Sequence, residues 1–476
     1  MDDRDKTEMA DAIRDVWNGI RHTHKTQLRP RFICRSGRID NPSDISICSP
    51  ASSKSIIINT TAGCMTIKAM LATSRCLEAE ADAAYAQRTF ICAVALQKES
   101  ITPLHIAGNH TSEVLYFKSI LARMTAQTIR RPGISKIFSH LLDFEGNEIY
   151  IERVDVPHNA TFGQVSQHMD NATALGVMRG DKVVLNPPDA ERITSHDQLI
   201  LLAEDDGIAR YGTEAPVDES CFASRSPAHQ PRPITLLILG TNSLTPDIVS
   251  AADTYGTSGS DVIVAADGRK IAAARYPNQA SLSNVDLEFQ PCDILDRATL
   301  DDLMATLRPD NVLVMSDGEA PSEQADAQTL MLLLQLRDIR QTSSASFMVT
   351  CELRDSTNQC LAEATDVTDF IISDRITALM MTQVSETRTR RPVIDELLAD
   401  SGKEIYLKPM GRYMKPGVPF TYATLRASAR RYDEIALGYK RLYDNDFDIV
   451  LNPANGDTMC PGTHDMAIIL ADNPLE

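Results

Sequence analysis

One short turn in the second half of the sequence carries the residues best suited to hold a small ligand. The apolar run 234–239 ends at Gly240, which Thr241 and Asn242 follow, and a second apolar run ends at Asp267. In β-α-β units, ligands bind beyond the carboxyl ends of the strands, at the first turn. Gly240, Asn242 and Asp267 are therefore our candidates for contacts with a cofactor.

This turn matches the dinucleotide-binding pattern only in part. That pattern is G-x-G-x-x-G, because small residues let a pyrophosphate approach the backbone. Residues 240–245 instead read Gly-Thr-Asn-Ser-Leu-Thr. The carboxylate of Asp267 is still suited to accept a hydrogen bond from a ribose hydroxyl. NAD binding therefore stays open beside the alternative of a plain strand-to-helix turn followed by a solvated carboxylate.

A run of carboxylates in the first half suggests a different ligand. Glu204, Asp205 and Asp206 directly follow an apolar run, and Asp143 and Glu145 lie earlier in the same half. Carboxylate oxygens are the ligands that Ca²⁺ prefers, although the spacing is not that of an EF-hand. Glu204, Asp205 and Asp206 are our candidates for a metal site, and a solvated strand end is the alternative.

Composition and motifs exclude several classes of protein. The 476 residues carry 47 basic and 65 acidic side chains, a net charge of −18, which repels phosphate backbones and makes nucleic acid an unsuitable partner. The ten cysteines are scattered without a C-x-x-C pair, as is typical of reduced cytoplasmic proteins. No G-x-S-x-G, H-E-x-x-H or Walker motif occurs. We therefore predict no catalytic residues and no enzyme.

The sequence also predicts a chain that does not cross a membrane. Its apolar runs, such as 199–202 and 330–334, are far shorter than the roughly 18–20 residues that a spanning helix needs. The first residues, Met-Asp-Asp-Arg-Asp-Lys, lack the pattern of a secretory signal. A cytoplasmic location is expected.

An internal duplication organises the elements that must position these residues. Gly146 and the tripeptide 148–150 (Glu-Ile-Tyr) recur as Gly402 and 404–406. Val-Leu-Asn-Pro occurs at 184–187 and again at 450–453, and His-Asp at 196–197 and 464–465. A repeat of this kind predicts two structurally equivalent halves.

Each half is predicted to be α/β. In the second half, strand-like runs alternate with helical segments, which predicts a parallel, Rossmann-like sheet, and a shorter, β-rich α+β subdomain follows. The first half aligns only from residues 3–6, which fall opposite 267–270, so we expect its sheet to be truncated at the N-terminus and to lack the first strand and helix. The expected boundaries are 1–130 and 131–207 for the first half, 208–232 for a linker, and 233–390 and 391–476 for the second half.

Several segments resemble the CASTOR/POLLUX family of ion channels. The resemblance is carried by residues 131–150, 184–187 and 202–206 in the first half, and by 324–330 and 370–375 in the second. It implies two tandem RCK (regulator of conductance of potassium) units that form the cytosolic gating ring of a cation channel. It also implies a tetrameric ring, Ca²⁺ as a ligand, and a membrane pore domain that is either missing from this chain or located on a separate subunit.

Two other functions remain as alternatives at this point. An NAD(P)-dependent oxidoreductase is compatible with the Rossmann-like second half and with Asp267. A soluble RCK-type regulatory subunit that docks on a separate membrane transporter is compatible with the lack of a predicted membrane span. Both alternatives keep the same fold.

Overall fold

A computed structural model describes residues 1–24, 29–60, 62–80, 89–110, 112–225, 232–343, 345–397, 402–442 and 447–472. The chain forms two compact units. The first contains Met1–Phe117 and Met381–Arg388, and the second contains Lys118–Met380 and Thr389–Glu476. None of the described helices is both long enough and apolar enough to span a membrane.

The first unit is built around a three-stranded parallel sheet in the order β1-β2-β3. Buried aliphatic residues such as Ile58, Ile91 and Val114 pack its strands against Met70 and Leu104 of the helices. Its elements are α1 (Lys6–His24), α2 (Pro42–Ser46), β1 (Ser55–Ile58), α3 (Gly63–Glu80), β2 (Phe90–Val94), α4 (Ile101–Ala107) and β3 (Glu113–Leu115).

The second unit begins with two connecting helices and a small subdomain. Helices α5 (Phe117–Arg130) and α6 (Ile134–Leu142) are separated by Gly133, whose φ of 102° requires a residue without a Cβ. The subdomain contains β4 (Glu148–Glu152), α7 (Phe162–His168), β5 (Met169–Asp170), β6 (Ala172–Arg179), β7 (Lys182–Leu185), β8 (Gln198–Ala203) and β9 (Arg210–Tyr211).

A six-stranded parallel sheet forms the centre of the second unit, in the order β12-β11-β10-β13-β14-β15. Its middle strands are almost continuously apolar because helices cover both faces. The elements are β10 (Thr235–Leu239), α8 (Thr245–Tyr255), β11 (Ser260–Ala266), α9 (Gly268–Ala273), β12 (Val285–Pro291), α10 (Arg297–Leu307), β13 (Asn311–Val314), α11 (Ser322–Ser343), β14 (Met348–Leu353), α12 (Gln359–Glu363), β15 (Asp369–Ile372) and α13 (Ser373–Glu386).

A second small subdomain closes the chain and repeats the first. Its sheet has the order β16-β21-β18-β19, which is equivalent to β4-β8-β6-β7. The elements are α14 (Arg390–Leu397), β16 (Glu404–Pro409), β17 (Phe420–Thr421), α15 (Tyr422–Arg430), β18 (Ile435–Leu442), β19 (Phe447–Leu451), β20 (Thr458–Met459) and β21 (Met466–Ala471). The duplication read from the sequence is thereby matched in the four-stranded sheets of the two subdomains.

The predicted fold class is confirmed: both halves are α/β, with a Rossmann-like parallel sheet followed by an α+β subdomain. Strand β12 was not predicted, because it lies at the edge of the sheet and its outer residues are polar and exposed. Helix α12 is only five residues long. Among the described residues, the sheet of the first half holds three strands, equivalent to β13, β14 and β15.

The domain boundaries remain predictions. Within the predicted linker 208–232, residues 226–231 lie outside the described part of the chain. The described part of this linker packs on the second subdomain, since Cys221 is buried and the Ala223 amide donates to the Tyr413 carbonyl.

Candidate functional site

A cavity of about 580 Å³ opens at the carboxyl ends of β10, β11 and β13. Its size is typical of a small-molecule site. Helix α11 supplies one wall, and the segments that follow β11, β12 and β13 supply the others. The residues that line the cavity include Gly240, Thr241, Ala266, Asp267, Lys270, Pro291, Asp293, Ile294, Leu295, Asp317 and Gln328.

Gly240 lines this cavity directly after the end of β10. Its φ is 89°, and a Cβ at this position would lie 3.0 Å from the carbonyl oxygen of Met315. Its amide donates to the carbonyl of Ala265 on β11. Glycine is thus required both by the left-handed backbone and by the close approach of β13.

Asn242 organises the turn from outside the cavity. Its Oδ1 accepts a hydrogen bond from the Leu244 amide at 2.9 Å. Its Nδ2 donates to the carbonyl of Ser316 at 2.9 Å and to Oε2 of Glu352 at 2.8 Å. The side chain therefore fixes the shape of the turn, and a contact between Asn242 and a ligand stays a prediction.

Asp267 faces the cavity at the end of β11. Its carboxylate accepts hydrogen bonds from the Arg269 backbone amide at 2.8 Å and from the Arg269 guanidinium at 3.1 Å. These hydrogen bonds hold the pKa of Asp267 below its usual value. Asp267 is consequently a charged acceptor that also caps the short helix α9.

An ion pair that the sequence did not suggest also borders the cavity. Lys270 on α9 donates to Oδ2 of Asp317 at 2.8 Å. Burial alone would raise the pKa of Asp317, but the hydrogen bonds from Lys270 and from the Glu319 amide outweigh it and lower the pKa. The two residues are 47 positions apart, so only the fold brings them together.

Glu352 on β14 is a buried carboxyl group beside the same turn. Its side chain accepts hydrogen bonds from Asn242 and, at 2.7 Å, from the Ser373 hydroxyl. Burial raises the pKa of Glu352 despite these hydrogen bonds. Sequence reasoning missed Glu352 because a single Glu in an apolar run cannot be distinguished, by residue type alone, from an exposed residue at the end of a strand.

The carboxylate run proposed for Ca²⁺ lies at the end of β8 and is exposed. Glu204, Asp205 and Asp206 are all solvent-accessible, and the Asp206 amide donates to Oδ1 of Asp205. Within the described ranges, no group of three or more His, Cys, Asp or Glu side chains is arranged to hold a metal ion. Metal binding by this run stays a prediction.

A second cavity of about 660 Å³ lies where α6 meets β15, α13 and β19. Asp143 and Glu145 border it, together with Lys136, His140 and Arg375. Arg375 donates to Asp143 at 2.9 Å, and the Lys136 amine lies 4.2 Å from the centre of the Phe447 ring. Burial lowers the pKa of His140. Asp143, Arg375 and Lys136 are thus engaged with one another or with an aromatic ring.

Comparison with known structures identifies the class of fold. The chain superposes on the human SLO3 gating ring with a TM-score of 0.66 and 13% sequence identity, covering 91% of this chain and 90% of that one. The architecture is that of two tandem RCK units, as the sequence predicted.

Comparison with known sequences points to a particular family. Residues 118–218 match the family model described as Castor and Pollux, part of voltage-gated ion channel. The chain is 23% identical over 388 residues to the ion channel POLLUX of Lotus japonicus and 24% identical over 390 residues to the ion channel DMI1 of Medicago truncatula, in each case across 73% of this chain. The resemblance to the CASTOR/POLLUX ion channels is confirmed. The chain spans less than half of these relatives, 42% and 43% of their lengths.

Proposed function

We propose that this chain is the ligand-sensing regulatory region of a cation channel and that it acts at the cytoplasmic face of a membrane. The observation that carries the proposal is the match, over 388 residues, with proteins that are named ion channels. The tandem RCK fold is compatible with this role. The pore domain belongs to the same polypeptide or to a separate subunit, and four copies of the region assemble into a ring.

In this proposal a ligand acts by changing the arrangement of the elements that surround the cavity. Three of these elements are α9, α11 and the segment after β13. A ligand shifts a conformational equilibrium only by the difference between its affinities for the two states. A ligand that contacts all three elements stabilises the arrangement in which they are closest, and the ring transmits this change to the pore.

The cavity beside Gly240 and Asp267 is the candidate site for a nucleotide-like ligand such as NAD. Its place at the carboxyl ends of the strands is where parallel α/β sheets bind ligands. The exposed run of Glu204, Asp205 and Asp206 is the candidate site for Ca²⁺. Neither site needs a catalytic group, so the proposed role is sensing without chemistry.

The test fills the cavity with a large side chain. Gln328 lines it from α11, whereas Gln324, one turn earlier on the same helix, is exposed. We expect Gln328→Trp to weaken the binding of nucleosides and nucleotides at least tenfold, measured by isothermal titration calorimetry on the purified chain. Gln324→Trp should leave the affinity unchanged, and both variants should keep the wild-type circular dichroism spectrum.

The regulatory role needs a second measurement, of cation flux in membrane vesicles from cells that express the native gene. The ligand should change the flux, and Gln328→Trp should abolish that change while preserving the ligand-free flux. Ca²⁺ is titrated in parallel. The double variant Asp205→Asn with Asp206→Asn should lower the affinity for Ca²⁺, whereas Gln328→Trp should leave that affinity unchanged. Turnover of NAD with a substrate, or flux that no ligand alters, would contradict the proposal.

A further inference from the structure

The Lys270–Asp317 ion pair crosses the end of the central strand of the second sheet. Strand β10 lies between β11 and β13. Lys270 follows β11, Asp317 follows β13, and both line the cavity with Gly240 and Thr241. The 2.8 Å bond therefore joins the segment after β11 to the segment after β13. The turn that follows β10 lies between these segments, and dinucleotide-binding folds hold the pyrophosphate at the corresponding turn.

The lysine that would receive a phosphate in this cavity is already paired. Among the described lining residues, Lys270 is the cationic side chain, and it is bonded to Asp317. In the turn itself, the Asn242 amide donates to the Thr245 hydroxyl at 3.0 Å, and the Leu244 amide donates to the Asn242 side chain. A phosphate that bonds the Lys270 amine would have to displace Asp317 or share the amine with it.

The charge of the lining also opposes a phosphate. Three carboxylates, Asp267, Asp293 and Asp317, border the cavity, and two of them are paired with a cation: Asp267 with Arg269 and Asp317 with Lys270. Like charges within a few ångströms in a partly desolvated site repel strongly. A nucleoside diphosphate would bring negative charge into a site that already carries an excess of it.

The remaining lining suits a neutral ring with hydroxyl groups. Ala266, Pro291, Ile294 and Leu295 offer apolar surface to a base. Asp267 and Asp293 each accept local hydrogen bonds, but a carboxylate has about four acceptor positions. Capacity therefore remains for the hydroxyl groups of a ribose or the amino group of a base.

We propose that the Asp317 carboxylate occupies the position of a ligand phosphate, so that the cavity selects an unphosphorylated nucleoside over a nucleotide. This inference rests on the proposed function, because it names the ligand class of the same sensing site, and it replaces NAD with an unphosphorylated nucleoside as that ligand. Asp317 then determines the selectivity for nucleosides over nucleotides, because it is bonded to the Lys270 amine that would otherwise bind a phosphate.

The selectivity of the wild-type chain is the first test and needs no variant. We expect calorimetric titration with adenosine, guanosine, cytidine and uridine to find at least one nucleoside that binds tenfold or more tightly than its own diphosphate. Tighter binding of the diphosphate would overturn this inference and leave the cavity as a ligand site. If neither nucleosides nor diphosphates bind, the inference and the nucleotide-like ligand of the proposed function both fail.

A variant tests the role of the ion pair. Asp317→Asn releases the Lys270 amine while keeping an oxygen that can accept from the Glu319 amide. Its affinity for the diphosphate should rise at least tenfold, its affinity for the nucleoside should change less than threefold, and adding Lys270→Met should reverse the gain. Asp338→Asn removes an exposed carboxylate of α11 that bonds Arg297 and should change neither affinity. An Asp317→Asn chain that folds but gains nothing for the diphosphate would refute the assignment.

Discussion

At the scale of single residues, the buried carboxyl group of Glu352 makes the stability of the fold depend on pH. It is 7% exposed and lies between Asn242 of the ligand-side turn and Ser373 at the start of α13. A carboxyl whose pKa is raised by burial keeps its proton in the folded state at pH values where the unfolded chain has lost it. Folding therefore binds a proton in that window.

This linkage predicts that stability falls as the pH rises. Below the ordinary carboxyl pKa of 4.5 both states are protonated, and above it the folded state loses stability until its own raised pKa is passed. Glu352→Gln removes the ionisable group and should be more stable than the wild type at pH 8 by about 1–2 kcal/mol, with little difference at pH 4.5. Hydrogen exchange of the β10 and β14 amides measures this directly.

The single tryptophan of the sequence, Trp17, lies on α1 in the other compact unit. Tryptophan fluorescence would report that unit and not the sheet that contains Glu352. The control is Glu323→Gln, which removes an exposed carboxylate of α11 and should leave the pH dependence as it is in the wild type. A Glu352→Gln chain with an unchanged pH profile would show that Glu352 is ionised in the folded state.

Sequence reasoning found part of this site and missed the rest for a physical reason. Gly240 and Asp267 both line the cavity, since a parallel sheet brings the ends of its strands together, and their contact with a cofactor stays a prediction. The Lys270–Asp317 and Asn242–Glu352 contacts join residues 47 and 110 positions apart. No local pattern records such pairs, because they depend on which strands become neighbours.

At the scale of elements, the two small subdomains share an irregularity that explains a repeated glycine. The pairing of β6 with β8 shifts between Ala174 and Gly176, and that of β18 with β21 shifts between Ala436 and Gly438. In each case a Cβ on the glycine would lie closer than 3.0 Å to a backbone carbonyl of the neighbouring strand, Val184 or Val450. The bulge brings two backbones together where a side chain has no room.

Replacement of either glycine should therefore destabilise its sheet. We expect Gly176→Ala and Gly438→Ala each to lower the free energy of unfolding by about 2–4 kcal/mol, read from hydrogen exchange of β8 and β21 respectively. Gly411→Ala is the control in the second subdomain, since a Cβ at this position would have no atom within 4 Å, and its effect should stay below about 0.5 kcal/mol. Equal effects for the three variants would show that the strands separate without cost.

The elements themselves follow from sequence where burial imposes a pattern. The strands β10 and β11 were predicted because both faces of a central parallel strand are buried, which selects unbroken apolar runs. Strand β12 has one neighbour and exposed polar residues such as Glu288 and Gln290. Its membership of the sheet rests on backbone pairing with β11, which leaves little trace in side-chain type.

At the scale of the whole second unit, the two copies of the repeat exchange their connecting helices. Helix α6 of the first copy contacts β15 and β16 of the second, and α14 of the second copy contacts β4 and β7 of the first. The same exchange appears in side chains: Arg390 lies 5.0 Å from the centre of the Tyr150 ring, and Arg131 lies 4.3 Å from that of Tyr406. Each Glu-x-Tyr strand of the repeat thus receives an arginine from the other copy.

The buried ion pair between Arg390 and Glu148 makes this exchange measurable. Arg390 donates to Oε2 of Glu148 at 2.8 Å, and both side chains are less than one tenth exposed. Removal of one partner leaves a buried charge uncompensated. Arg390→Met should therefore cost about 3 kcal/mol, while the double variant with Glu148→Gln should recover most of that loss, which gives a coupling energy of at least about 2 kcal/mol.

The readout is hydrogen exchange in β4 of the first copy and in β16 of the second, because a change on α14 should destabilise a strand that belongs to the other half of the sequence. Arg297→Met, which breaks exposed pairs with Asp301 and Asp338, is the control and should cost less than about 1 kcal/mol. If Arg390→Met affected β16 but not β4, the two copies would be energetically independent, and a ligand bound in the second half would have no route through this contact to the first.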